Sequence, residues 1–166
     1  MADFLAGQVP TAAELNAVTD RLPIRARSTS ATTYVSNTTF SNVTGLSAAV
    51  AANQVYKVRG RLKITGANTT HDVKVQFTLP AGATIEWSLY AITTSQTANP
   101  VSVDMSSNSG SIARGTIGGT MTYLIDGFIT TAGTAGTAQL QGAQNTSDPG
   151  TLSFDAGSEF SLQLWV

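Results

Sequence analysis

Cysteine is absent from the 166-residue sequence and histidine occurs once, which excludes several classes of protein at the outset. Without cysteine the chain can form neither a disulfide scaffold nor a thiolate metal or redox site. A single histidine cannot supply a histidine-rich zinc site or an H-E-x-x-H motif within one chain. No apolar stretch approaches the roughly 18 residues of a membrane-spanning helix, so no membrane segment is expected.

Charged side chains are also scarce. Lys, Arg, Asp and Glu make up 11% of the chain and give a formal net charge of −1. That balance offers no general attraction to nucleic acid or to anionic lipid, so neither is expected as a partner. Threonine and serine, with 25 and 16 residues, supply much of the polarity instead. This composition is typical of a threonine-rich β protein or of a component of a larger particle.

The first thirty residues contain the one convincing helix pattern. Thr11 and Glu14 have the spacing of a capping box, and Pro23 would end the helix near residue 22. A helix of about 11 residues is marginal alone in water, so it should form only when its apolar stripe is packed. We therefore interpret residues 1–30 as an arm, with a helix at about 12–22, that anchors the protein on a partner. Packing of the helix on its own domain is the alternative. The anchoring residues would be Phe4, Leu5, Val9, Leu15, Val18 and Leu22.

From Thr32 onward apolar and polar residues alternate with a period of two, which is the pattern of half-buried strands. The clearest segment is 54–65, where four apolar side chains alternate with four cations and Gly60 interrupts the apolar row. Gly127, within a later strand pattern, suggests a bulge. Eight or nine such segments without a second helix predict an all-β antiparallel β-sandwich of jelly-roll type over residues 31–166.

Residues that could support catalysis are separated from one another. His71 and Asp72 are adjacent, and adjacent side chains of a strand point to opposite faces, so they would not form a catalytic dyad. The other acids are scattered singly, and the glycine-rich segment 115–119 lacks the lysine of a phosphate-binding loop. We therefore expect no catalytic residue, no cofactor and no metal ion, and we predict that the protein is not an enzyme.

A basic stripe is the most particular charge feature of the sequence. It consists of Lys57, Arg59, Arg61 and Lys63 on one face of one predicted strand. Like charges two residues apart repel each other unless acids pair with them. One interpretation is pairing with acids of adjacent strands, for instance Glu159 and Asp155; the other is contact with an acidic partner surface, such as a neighbouring subunit. Trp165, which falls on the outward side of the last strand, is a further candidate for a subunit interface.

Residues 4–16 have the sequence FLAGQVPTAAELN, which is similar to the F-x-A-G-x-V-L-T-A-A-x-L-N opening of phage head and tail proteins. With this opening the chain resembles small jelly-roll virion proteins of tailed bacteriophages. Residues 46–58 and 78–84 are similar to the jelly-roll module of those proteins, which has an aromatic residue where this chain has Val58. The resemblance covers most of the chain and includes no catalytic residues. It implies a β-sandwich that is often trimeric, displayed on a particle and tethered by its N-terminal arm.

The resemblance and the short arm favour a structural virion protein, and in particular a capsid-surface decoration protein, also described as a cement or minor capsid protein. It would bind the major capsid protein through the arm, self-associate as a trimer and lie on the capsid exterior. The alternative is a minor tail, baseplate or receptor-binding protein, in which Trp165 and the loops 106–110 and 142–148 would face a receptor. A second alternative is a carbohydrate-binding module or a hydrolase.

Overall fold

A computed structural model describes residue 9 and residues 11–12, 22–67, 72–92, 103–107, 111–115 and 118–165. Most of the predicted helix at about 12–22, and with it Leu15 and Val18, lies outside the described residues, as do Phe4 and Leu5. The described ranges contain twelve β-strands. They are β1 (Ile24–Arg27), β2 (Thr32–Tyr34), β3 (Ser41–Val50), β4 (Val55–Gly66), β5 (Asp72–Thr78), β6 (Thr84–Ile92), β7 (Val103–Ser107), β8 (Ile112–Gly115), β9 (Gly119–Thr130), β10 (Gly136–Gln144), β11 (Leu152–Phe154) and β12 (Glu159–Leu164).

The strands form two antiparallel sheets that enclose the core. The larger sheet has the order β1-β12-β4-β9-β6-β7, and β11 joins it by pairing with both β4 and β2. The smaller sheet has the order β3-β10-β5-β8. The chain passes from one sheet to the other at each step of the series β1, β3, β4 and β5. It does so again along the series β8, β9, β10 and β12. This winding is that of a jelly roll, and the paired strands β6 and β7 widen the larger sheet beyond β9. The predicted fold class is confirmed.

The number of strands is larger than predicted. The sequence pattern indicates eight or nine strands, whereas twelve lie in the described ranges. The strands β1, β2 and β11 are only three or four residues long, which is too short for an alternation of period two to be recognised.

Strand β4 lies at the centre of the larger sheet and shows the predicted alternation. Four of its side chains are fully or almost fully buried: Tyr56, Val58, Leu62 and Ile64. At Gly60 the missing side chain leaves room for Phe160 of β12, whose Cβ would lie 2.9 Å from a Cβ at residue 60. The interruption of the apolar row is therefore filled from the neighbouring strand.

Gly127 does not form a bulge. It lies opposite Val58 of β4 and Trp87 of β6 in an unbroken register. A Cβ at this position would lie 2.6 Å from the Cβ of Trp87, so the close approach of β6 explains the glycine.

Strand β1 belongs to the sandwich, although the sequence pattern places it in the arm. Ile24 lies opposite Leu162 and Arg27 lies opposite Glu159 of β12, and Ala26 is buried in the core. The reason for the difference is that one buried alanine between two arginines gives no apolar periodicity. The exposed residues that precede β1 include Val9 and Leu22, which are 86% and 62% exposed.

Candidate interaction surface

The outward side of the larger sheet carries six of the nine Lys and Arg residues of the chain. They are Arg25 and Arg27 of β1 and the four residues of the basic stripe, Lys57, Arg59, Arg61 and Lys63 of β4; together we call them the basic face. Strand alternation produces this arrangement, because the residues between these cations point into the core. On β1 the intervening residue is Ala26, which is buried, and on β4 the intervening residues include Val58 and Leu62.

The register fixes how the arginines lie relative to one another. Strand β12 runs between β1 and β4, so Ser161 lies between Arg25 and Arg59, and Glu159 lies between Arg27 and Arg61. Strands are spaced about 4.8 Å apart and alternate residues about 7 Å apart, so the Cα atoms of the four arginines mark the corners of a rectangle of about 10 by 7 Å. Three of these arginines border a shallow hollow of about 370 Å³. It is lined by Arg25, Arg59, Gly60, Arg61, Glu159, Phe160 and Ser161.

Asp126 of β9 is the acid that pairs with the basic stripe. Its Oδ2 lies 2.7 Å from the Nζ of Lys57, and its Oδ1 lies 3.7 Å from the Nε of Arg59. The Lys57 ammonium also lies 4.3 Å from the centre of the Phe128 ring. The side chain of Lys57 is only 13% exposed, so this cation is held within the protein surface.

The two acids suggested by the sequence do not form these pairs. Asp155 accepts hydrogen bonds from the hydroxyls of Thr65 and Ser153 at 2.7 and 2.8 Å. Glu159 lies opposite Arg61 in the register, but within the part of the chain that the structure describes it forms no ion pair. Pairing across strands is therefore present, but its acid is Asp126 and not Glu159 or Asp155.

The arginines of the basic face are largely unpaired. Among the described residues, Arg25, Arg27 and Arg61 have no side-chain hydrogen bond or ion pair, and the side chain of Arg59 is 73% exposed. Four acids lie on the outward side of the larger sheet with the six cations: Glu86, Asp126, Glu159 and Asp155, whose carboxylate contacts Thr65 of β4. A protein with a net charge of −1 thus has a local excess of two positive charges.

Trp165 lies at one end of the basic face and is 60% exposed. Its ring meets Phe128 edge to face, with 5.4 Å between the ring centres, and its backbone N–H donates to the carbonyl of Val55 at 2.8 Å. Because Phe128 also contacts Lys57, the predicted interface residues Trp165 and Lys57 meet on one continuous surface.

An apolar hollow of about 400 Å³ lies where the chain enters the sandwich. Leu22 and Ile24, which are 62% and 38% exposed, form one side of it. The other side consists of Ala51, Gln54, Tyr56, Leu162 and Leu164. Of the predicted anchoring residues, Leu22 is thus placed beside an apolar surface, and Val9 is exposed.

The loop predicted at 142–148 is shorter than the sequence suggests. Gly142, Ala143 and Gln144 are buried in β10, and the exposed part begins at Asn145. Gln144 is the residue that sequence reasoning missed here: a glutamine at the end of a strand gives no signal of burial. Arg25 and Arg27 were also missed, although the R-A-R alternation could have indicated them.

Two further findings concern the described residues alone. They contain no group of three or more His, Asp or Glu side chains placed to hold a metal ion. None of their helices has the length and apolar character needed to cross a membrane. His71 lies outside the described residues, so the geometry of His71 and Asp72 is not defined.

Comparison with known proteins gives structural neighbours but no family. No protein-family model and no curated protein matches the sequence. The structure is similar to "Structure of infectious bursal disease virus Gx strain", with a TM-score of 0.22 and 12% identity over 87% of this chain and 40% of that chain. It is also similar to "Crystal structure of infectious bursal disease virus VP2 subviral particle", with a TM-score of 0.21 and 14% identity over 87% and 40% of the two chains. The chain spans about two-fifths of these neighbours, and likeness at this level assigns no activity.

Proposed function

We propose that the protein is a structural component of a tailed-bacteriophage virion, of the capsid-surface decoration type, and that it acts by contact rather than by catalysis. The observation that supports this most directly is the place where the arm joins the sandwich. Strand β1 is at the edge of the larger sheet, and Leu22 and Ile24 are exposed beside an apolar hollow. The arm therefore leaves from an exposed apolar edge, where it can bind a neighbour without disturbing the core.

In this proposal the arm binds the major capsid protein on the exterior of the capsid. The anchoring residues Phe4, Leu5, Val9, Leu15, Val18 and Leu22 would be buried on capsid subunits. Copies of the sandwich would associate as a trimer around a symmetry axis, and their binding would stabilise the capsid by mass action. The phage resemblance of residues 4–16 supports this arrangement. No cofactor, nucleic acid or membrane is required.

The test of the arm uses the full chain and particles produced without this protein. Leu15→Glu combined with Val18→Glu places two charges on the apolar stripe of the predicted helix, and we expect particle binding to fall by at least about tenfold, since burying unpaired charge is costly. The control is Ala13→Glu combined with Ala17→Glu, which adds the same charge to the opposite face of the predicted helix. Equal binding of the two double variants would contradict the anchor, and unfolding curves would show that both retain the sandwich.

The tail alternative has its own supporting observation. Trp165 is a large exposed aromatic residue at the end of the basic face, as expected of a surface that binds a receptor. Electron microscopy of particles with and without the protein distinguishes the two proposals, because the missing density would lie on the capsid or on the tail. Light scattering tests the trimer, and a strict monomer at high concentration would contradict it.

A further inference from the structure

We propose that the arginines of the basic face form a binding site for carboxylates presented two residues apart, and that the ligand is an extended acidic segment of a partner protein. The site consists of Arg25, Arg27, Arg59 and Arg61 with the hollow around Ser161. This inference goes beyond the proposed function, because it concerns the sheet face rather than the arm. It applies equally to a protein on the capsid and to one on the tail.

The first step of the argument is the unpaired charge. Lys57 shows what a fully paired cation looks like on this sheet, with Asp126 at 2.7 Å and Phe128 below it. The arginines differ, because Asp126 is 3.7 Å from Arg59 and no ion pair of Arg61 lies within the described residues. Charges on the edge strand β1 can be explained because they prevent pairing with another sheet. Arg59 and Arg61 need a different explanation, because they lie on β4, which is paired on both sides.

The second step is the shape of the site. Ser161 and Gly60 are small, so the space between Arg25 and Arg59 is open and forms a hollow of about 370 Å³. The Cα atoms of the arginines on β1 and β4 are about 10 Å apart, a span that two extended arginine side chains can bridge, and Arg25, Arg59 and Arg61 line the hollow together with Glu159. The hollow therefore offers guanidinium groups of both strands to ligand carboxylates, on the side of Ser161 rather than beside Glu159.

The third step is the chemistry of the ligand. A guanidinium presents a planar fork that binds a carboxylate through two parallel hydrogen bonds. Arg59 and Arg61 are about 7 Å apart along β4, which equals the spacing of alternate side chains in an extended segment. A segment with Asp or Glu at every second position would place its carboxylates over successive arginines.

Nucleic acid fits this surface less well. Single strands bind through several aromatic rings on which successive bases stack, whereas this face offers the exposed ring of Trp165 at one end, and the ring of Phe128 is in contact with Lys57 and Trp165. The net charge of −1 also opposes a polyanion of high charge density.

The experiment is a calorimetric titration of the full-length protein with a short capped peptide of alternating Glu and Thr at low ionic strength. We expect binding that a peptide of alternating Gln and Thr does not show. Arg61→Gln should weaken binding about tenfold, as expected for the loss of a charged hydrogen-bonded contact. Arg61→Lys should have an intermediate effect, because it keeps the charge and loses the fork.

Lys74→Gln is the matched control, since Lys74 lies on the smaller sheet and its removal changes the net charge equally. It should change the affinity less than about twofold, as expected for a distant surface charge. Failure of the Glu peptide to bind would overturn the proposal, as would equal losses in Lys74→Gln and Arg61→Gln. Tighter binding of an oligothymidylate or a heparin oligosaccharide than of the Glu peptide would also overturn it. None of these outcomes depends on the arm, so they are distinct from a failure of the proposed function.

Discussion

Gln144 is a fully buried polar side chain that connects the end of β10 to two loops, and its replacement tests how far these loops depend on it. Its Oε1 accepts hydrogen bonds from the N–H groups of Asn37 and Asp148 at 3.0 and 3.3 Å. Its Nε2 donates to the carbonyls of Asp148 and Gly150, both at 3.0 Å. One side chain therefore joins the segment after β2 to the loop that leads into β11.

Replacement by leucine keeps most of the volume and removes these four hydrogen bonds, while the carbonyl of Asp148 still accepts one from the N–H of Ser36. At about 1 kcal/mol for each hydrogen bond, Gln144→Leu should lower the free energy of unfolding by about 4 kcal/mol. In a chain of this length that corresponds to a fall of about 8–16 °C in the unfolding temperature. Urea unfolding measures the effect, with the slope of the transition checked for constancy. Gln141→Leu is the control, because Gln141 lies on the same strand but is only partly buried.

Gln144→Glu refines the test, because it keeps the shape and the acceptor oxygen while removing the amide donors. The carboxylate would face the carbonyls of Asp148 and Gly150, which disfavours its charged form and raises its pKa in the folded state. A group whose pKa is raised by folding stabilises the protein at acid pH, and this contribution is lost as the pH rises through the folded-state pKa. The Gln144→Glu variant should therefore be most stable in acid. If Gln144→Leu lowers the free energy of unfolding by less than about 1 kcal/mol, the two loops do not depend on the Gln144 side chain as proposed, because a single hydrogen bond contributes as much.

Two further predictions concern the core. Burial raises the pKa of the Tyr34 phenol, so the unfolded chain ionises first and stability should fall as pH rises above about 10. Tyr34→Phe loses the hydrogen bond to the Ser41 carbonyl, which should lower the free energy of unfolding by about 1 kcal/mol at neutral pH. Above about pH 10 the stability of this variant should fall less than that of the unsubstituted protein, as measured by unfolding at a series of pH values. Gly127→Ala should lower the free energy of unfolding by about 3 kcal/mol, because the new Cβ would collide with Trp87. Gly133→Ala should change the free energy of unfolding little, because no heavy atom outside the adjacent residues lies within 4 Å of the new Cβ. A Gly127→Ala variant as stable as Gly133→Ala would contradict the close approach of β6.

The inner faces of the long strands could be predicted from sequence, because alternation is a local property. In β4 the four apolar residues that the period of two places inside are buried, and Gly60 between them is half-buried. The all-β fold class can be predicted from such patterns, because repeated alternation without a second helix is best accommodated by a β-sandwich.

Pairing between strands could not be predicted in the same way. Asp126 lies in β9, far along the chain from Lys57, and only the register of the sheet brings them to 2.7 Å. The same limit applies to one partner of Gln144, the N–H of Asn37, which is 107 residues away along the chain. A hydrogen bond that depends on the position of a distant backbone leaves no trace in the local composition.

The position of the basic face distinguishes an ordinary protective role from a binding role. Charged residues on an edge strand prevent unwanted pairing with another sheet, and Arg25 and Arg27 on β1 satisfy that explanation. Arg59 and Arg61 do not, because β4 has partners along both edges and needs no such protection. Their repulsion is only partly offset, because Asp126 is 3.7 Å from Arg59 and Glu159 lies opposite Arg61 without an ion pair among the described residues. A partner that supplies carboxylates to both strands at once removes that repulsion, so the interior pair, rather than the edge pair, is the stronger reason to regard this face as a contact surface.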